Sequence, residues 1–171
     1  MSAEPAAFIR MLGRYNRLAN ERLYDACSFL SDEERKRARS AFFGSIHGTL
    51  NHILLGDRIW MTRFEGGEAP STNLDAILHE DFDALQRARA AEDARIEAWV
   101  NALVPASLNG TITYVNNEGR QFRDPVALLL AHLFNHQTHH RGQVTAMLAG
   151  TNAPYPVLDL HRVLIPDPLQ P

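Results

Sequence analysis

Two histidines four residues apart, His136 and His140, lie in an otherwise largely apolar run from Asp124 to Gly150, D-P-V-A-L-L-L-A-H-L-F-N-H-Q-T-H-H-R-G-Q-V-T-A-M-L-A-G. The run holds four of the chain's eight histidines. At roughly 100° per residue, Val126, Leu129, Leu133, Val144 and Met147 share one helical face. His140 falls near the centre of that face and His136 one turn away at its edge. A lone buried imidazole can satisfy its nitrogens with a carbonyl or carboxylate. Two at i and i+4 converge on one point, which is the geometry a divalent metal exploits. His132 extends the row by another turn, but one straight helix rarely wraps three side chains around one ion. A third ligand is therefore expected from another element. H-x-x-x-H alone also fits a histidine-rich core held by ordinary hydrogen bonds. There is no H-E-x-x-H, which excludes the zinc-protease helix, and no E-x-x-H, which excludes the ferritin-like di-iron motif.

The elements that must position these side chains follow from periodicity. Asp124-Pro125 is a helix-start signal, and Gly150 supplies a stop by entering the left-handed conformation. A first amphipathic helix runs from Pro5 to about Leu30, with Phe8, Leu12, Tyr15, Ala19, Arg22 and Ala26 on its stripe. Asn16, Asn20 and Arg22 read as surface or inter-helix polar residues, and Cys27 as a small core residue. The mixed-sign E-E-R-K-R-A-R at 33 to 39 follows a capping box from Ser31 to Glu34 and reads as a solvated face.

A second helix spans Gly44 to Phe64, with Ile46, Leu50, Ile53, Trp60 and Phe64 on its stripe and Asp57 among them. Asp57 is expected to pair with Arg58, Arg63 or a helix end. His47 and His52 flank the stripe on opposite sides, each about 100° from its centre, so periodicity does not choose between them as a metal ligand. After a loop at 65 to 73, a third helix is expected from Asn73 or Asp75 to about Leu103, with Phe82, Leu85, Ile96, Trp99 and Leu103 inward. His79 reads as a surface or capping residue. Ile112, Tyr114 and Phe122 around N-N-E-G form a short hairpin before the last helix. The Pro-punctuated tail is expected to pack over the helices with Val157, Leu158 and Leu160 buried. The expected architecture is all-α, a four-helix bundle with that hairpin, in a single domain over residues 1–171.

The 171 residues are 45% hydrophobic and 22% charged, ordinary for a soluble protein with a substantial core. A net charge of −3 and a pI near 6.2 argue against nucleic-acid binding. No apolar run approaches the ~20 residues of a membrane span. The N-terminus lacks an export-signal pattern, and the one cysteine forms no internal disulfide, so a cytoplasmic location is expected.

Three segments together, Y-N-R-L-A-N-E-R-L near the start, S-I-H-G-T-L-N-H-I-L-L-G-D-R-I-W at 45 to 60 and N-H-Q-T-H-H-R-G-Q-V at 135 to 144, resemble the DinB family, which is grouped with the YfiT-like metal-dependent hydrolases. The resemblance runs from about residue 8 to residue 160. It departs at Leu18, where many relatives carry tryptophan. It implies an up-up-down-down bundle, frequent homodimers and a divalent metal, zinc or nickel, held by three histidines. Carried onto this chain, T-L-N-H supplies His52 and H-x-x-x-H-R-G-Q supplies His136 and His140. Better-understood relatives are transferases or isomerases that use a low-molecular-weight thiol such as bacillithiol or mycothiol. The resemblance thus implies a metal-dependent enzyme, a thiol-dependent transferase or hydrolase, acting on a small-molecule substrate. A non-catalytic metal-stabilised stress-response or dimerisation module is the alternative. No protein nucleophile is required by this reading. Arg141 could meet an anionic group of substrate or thiol, although a surface salt bridge or dimer contact suits its angle equally well. A homodimer is expected from an apolar surplus at Leu54, Met61, Leu130 and Phe134, off the main stripes.

Overall fold

The computed structural model describes residues 5–69 and 73–167; the loop positions 70–72 lie outside the described residues. Four long helices carry the chain: α1 (Pro5–Ser28), α3 (Ile46–Phe64), α4 (Phe82–Ala102) and α5 (Val126–Leu148). Short helices α2 (Asp32–Lys36) and α6 (Leu160–Leu164) flank them, and a 3-10 turn at Pro105–Asn109 leads into strands β1 (Thr111–Val115) and β2 (Gln121–Pro125). Both α1 and α3 pack against α4 and α5. That leaves α1 and α3 on a diagonal. Helix α1 runs against α4, with Arg10 bonding Leu103 and Tyr24 stacked on Phe82, and α3 runs against α5, with Trp60 beside His132 and His52 beside His140. The other neighbours run the same way, Asp57 to Arg89 and Phe64 to Trp99 across α3 and α4, so the order is up-down-down-up and not the expected up-up-down-down. The strands pair antiparallel from Thr111 opposite Pro125 to Val115 opposite Gln121. Gly119 closes their turn at φ 75°, a conformation open to glycine without a Cβ clash.

The core is layered along the bundle axis. One apolar cluster joins Leu23 and Cys27 of α1 to Leu50 and Leu54 of α3, Phe82 and Leu85 of α4, and Val144 and Leu148 of α5. A second joins Ile9, Met61, Ile96, Val100, Leu130, Leu133 and Phe134. Between them lies a buried polar layer to which every long helix contributes. Arg89 pairs with Asp57 at 2.7 Å and with Asp93 at 3.0 Å. Asp93 accepts from the amides of Asn16 at 3.1 Å and Asn20 at 2.9 Å. Arg141 donates to the carbonyl oxygens of Asn16 at 2.6 Å and Gln137 at 3.0 Å, and Gln137 closes the ring by donating to Asp57. Two arginines and two aspartates leave this layer near neutral.

Several expectations change here. Asp57 pairs with Arg89 on a facing helix, not with Arg58, Arg63 or a helix end. Arg141 is buried, 2% exposed, and belongs to the polar layer and not to a surface salt bridge or substrate contact. Arg35 of the basic cluster is also buried, its guanidinium 4.1 Å from the Phe82 ring centroid, while Ser31 caps α2 as expected. Leu54, Met61, Leu130 and Phe134 are all buried within the one chain, so they form no self-association patch. The third long helix starts at Phe82, capped by Asp81, and not near Asn73. The backbone of 74 to 79 instead serves the polar side chains of α3: Asn51 accepts from the N–H groups of Leu78 and His79. Backbone engaged that way is unavailable for helical bonding.

Asp124 belongs to β2 and accepts from the Tyr114 hydroxyl at 2.9 Å, so it does not cap α5. That helix ends at Leu148, and positive φ among the described residues is confined to Gly44, Gly66 and Gly119, so Gly150 is not left-handed. In the tail Val157 and Leu160 are exposed, and Pro156 and Val163 are buried. Carbonyl groups strap this segment down, Tyr15 donating to Leu158 and Arg22 to Val157.

The polar layer yields a direct test. Arg89→Leu leaves Asp57 and Asp93 buried without their cation, so unfolding in urea should show a loss of about 3–5 kcal/mol. A loss below about 1 kcal/mol would mean that the layer is not closed as described.

Candidate metal centre

His52 projects from the middle of α3 and His136 and His140 from successive turns of α5, across the seam between the two helices. A candidate ligand nitrogen from each lies within 4.8 Å of the other two. The Nε2 atoms of His52 and His136 face each other at 3.1 Å. Ring centroids are 4.3 Å apart for His136–His140 and 4.5 Å for His52–His140.

The ring orientations are fixed from outside the cluster. His52 donates from Nδ1 to the Leu74 carbonyl at 2.7 Å, which leaves its Nε2 as a lone pair aimed inward. His140 contacts the Gln143 side-chain oxygen through Nδ1 at 2.8 Å, with the same effect. Gln143 in turn bonds His139 at 3.1 Å. His136 is seated by Gly56: a Cβ there would stand 3.0 Å from the His136 Cε1 atom. Phe43 covers the cluster from the other side, its ring stacked on His52 at 3.7 Å between centroids and edge-on to His140 at 5.5 Å.

Electrostatics keep these imidazoles neutral. Burial pushes His52 down to about 4, against the opposing pull of the Leu74 carbonyl. Burial, with His140 and His52 adding repulsion, pushes His136 down to about 3. His140 is also held below its ordinary value by burial. The His136 Nδ1 atom is buried with no hydrogen-bond partner. One shared proton can join two of the three converging nitrogens; a cation can take all three. Nitrogens bound to one zinc at 2.0–2.1 Å lie roughly 3.4 Å apart, so the His52–His136 pair already sits near ligand spacing. The donor set therefore fits a divalent ion of the borderline, imidazole-preferring kind.

The other candidates lie elsewhere. His47 is buried, with its Nε2 at 2.9 Å from the His79 carbonyl, on the far side of α3. His132 is exposed and edge-on to Trp60 at 5.2 Å, outside the nitrogen cluster. Asp57 is committed to the polar layer. The lone Cys27 thiol is buried and pushed up to about 12 by burial, unsuited to a nucleophile or ligand role. Sequence reading missed Phe43, Gly56 and Gln143. A glycine isolated in an apolar helix and a glutamine three residues after His140 were signals for the last two. Phe43 precedes its helix and left none.

A cavity of about 370 Å³ opens beside the cluster, bounded by His52 and His136, by Trp60 and Arg63 of α3, and by the tip of the β1–β2 hairpin. The sequence profile of the DinB family matches residues 3–162. The chain belongs to the DinB family. It is 30% identical over 149 residues to the Protein DinB of Bacillus subtilis (strain 168), covering 82% of this chain and 84% of that one. A crystal structure of a DinB-like protein from Bacillus cereus ATCC 10987 superposes with a TM-score of 0.59 at 20% identity, over 81% of this chain and 89% of that one. At that identity the likeness speaks for the fold. Family and structure agree on the helical bundle, and the histidine cluster is compatible with a metal site.

The depressed histidines give a pH dependence with a defined sign. An unfolded histidine takes up its proton near pH 6.5, whereas the folded His52 and His136 resist until about 4 and about 3. Their neutral forms are thus favoured by folding at and above pH 6.5, and that contribution is lost as pH falls toward the folded values. For metal-free protein, stability should drop by up to about 1.4 kcal/mol per pH unit per histidine below pH 6.5, less where the open cavity admits water. Urea titrations of wild type and His136→Gln between pH 7 and 4.5 check this; identical slopes would contradict it.

Proposed function

We propose that this DinB-family protein is a metal-dependent enzyme acting on a small molecule, with His52, His136 and His140 as ligands of a divalent ion, zinc or nickel. The observation that carries the reading is the convergence of three neutral imidazoles, two of them anchored from outside, beside an open cavity. A divalent ion on three neutral ligands keeps its full charge and lowers the pKa of a bound water or thiol toward neutrality. The chain's own residues supply the setting. Leu74 and Gln143 hold the tautomers of His52 and His140, Gly56 gives His136 its place, and Phe43 excludes water from one side. No side chain is needed as nucleophile, so transfer to or from a low-molecular-weight thiol, or hydrolysis, are the reactions this setting suits.

A closed structural site would recruit four protein ligands. Among the described residues, no fourth histidine, cysteine, aspartate or glutamate joins the cluster, and that favours the enzyme over a metal-stabilised module. No helix among the described residues is long and apolar enough to cross a membrane, and the buried lone cysteine suits a reducing cytoplasm.

Elemental analysis of purified protein should give about one zinc or nickel per chain, and the His136→Ala/His140→Ala double variant should carry none. Full occupancy in the double variant would sink the assignment. Gln143→Ala, which removes only the partner of His140 Nδ1, should weaken metal affinity by about 10–100-fold. Competition with a chromogenic chelator reads that change, and turnover screens with several thiols then test the chemistry.

A further inference from the structure

The cavity beside the histidines has a chemical bias that the metal does not explain. Arg63, near the end of α3, lies over the adjoining rings of Trp60 and Tyr114, its guanidinium carbon 4.7 and 4.6 Å from their centroids. One of its amino groups donates to the Val115 carbonyl at 3.0 Å, fixing it against the hairpin. Its Nε atom is buried and has no hydrogen-bond partner. Arg63 makes no salt bridge among the described residues, whereas the other cavity-lining charge, Glu118, pairs with Arg120. Burial penalises this half-buried charge, and the two ring contacts and the Val115 carbonyl offset that without supplying an opposite charge. Its fork is shaped to receive two oxygens of one anion.

Position adds the rest of the specificity. Gly56, against which His136 sits, and Arg63 are two turns apart on α3, about 10 Å along the helix. Trp60 lies midway between them and presents a ring to the cavity, with His132 edge-on beside it. A compact anion such as acetate cannot reach from the guanidinium to the histidine nitrogens. A planar body can lie along Trp60 and do so. One cation, with Glu118 at the rim, suits a single negative charge better than a dianionic phosphate.

We propose that this cavity binds a small organic monocarboxylate with a flat, apolar body, the carboxylate on Arg63, the body against Trp60 and the far end toward His52 and His136. The orientation of the far end rests on the metal-enzyme reading; the Arg63–carboxylate contact does not. Arg63 is a specificity-determining residue and takes no part in activating the metal's ligand.

The test uses trans-cinnamate and its neutral amide, titrated by calorimetry and tryptophan fluorescence against zinc-loaded and chelator-treated protein. The acid should bind at least tenfold more tightly than the amide in both forms. Arg63→Gln should abolish that preference while changing amide affinity less than twofold, and Arg63→Lys should retain part of it. Thermal melts of each variant establish that it is folded, and the lysine variant carries the test should the glutamine variant not be. Equal affinity for acid and amide overturns the proposal, as does no saturable binding of cinnamate. A preference that disappears on chelation and survives in Arg63→Gln places the carboxylate on the metal and overturns it too. Protein that takes up no metal yet keeps the Arg63-dependent preference would refute the metal-enzyme reading and leave this site standing.

Discussion

The closed polar ring across the middle of the bundle, Asp57–Arg89–Asp93–Asn16 and Asn20–Arg141–Gln137, constrains everything around it. Buried ionic groups seldom add net stability over apolar packing of the same volume, because desolvation consumes most of the Coulomb gain. Their effect is on geometry. An apolar layer tolerates a helix rotated or slid by a fraction of a turn, since leucine packs against several neighbours about as well. A ring of paired charges does not, because any slip leaves a buried donor or acceptor unmatched. With leucine-rich layers above and below it, this ring sets the rotation of all four long helices together.

The geometry of the histidine cluster inherits that constraint. Gln137 directly follows His136, and Arg141 directly follows His140, so each ring residue is about 100° around α5 from a histidine. On α3 the same adjacency joins Asp57 to Gly56, the residue that makes room for His136. Fixing Gln137, Arg141 and Asp57 against α1 and α4 therefore fixes the direction of the imidazoles at the α3–α5 seam. The remaining freedom is in ring rotation, and the Leu74 carbonyl and Gln143 remove it for His52 and His140.

Much of this was legible in the sequence, and the limits have physical causes. Amphipathic periodicity located the long helices and the hairpin because burial of one face is a local, repeating signal. H-x-x-x-H marked α5 for the same reason. The choice of His52 over His47 came from resemblance alone: both flank the stripe symmetrically, and only the position of α5 and of Leu74 breaks the tie. Asp57, Asn16, Asn20 and Arg141 were each visible as polar residues in or beside helical stripes. Their partners were not, since all lie on other helices far away in sequence. The start of the third helix was misplaced because the backbone of 74 to 79 is claimed by Asn51 and His52, and propensity carries no record of such long-range competition. Leu130, Phe134, Leu54 and Met61 looked surplus because a stripe is narrow, whereas a helix with two helical neighbours buries a wider arc.

The bundle thus contains two kinds of buried polar group, and the difference between them separates architecture from chemistry. In the central ring Arg89 has two carboxylate partners and Arg141 is held by the amide oxygens of Asn16, Asn20 and Gln137. At the α3–α5 seam, three imidazoles are forced neutral and one carries a buried nitrogen without a partner; beyond them Arg63 holds a cation with no anion. The orphaned nitrogens of His136 and Arg63 border the same cavity, and that shared border is what the proposed ligands would use. Lone pairs at one end call for a cation, and a guanidinium at the other calls for an anion. The same α3 helix presents both, and that gives the cavity a direction along which a bound molecule must lie.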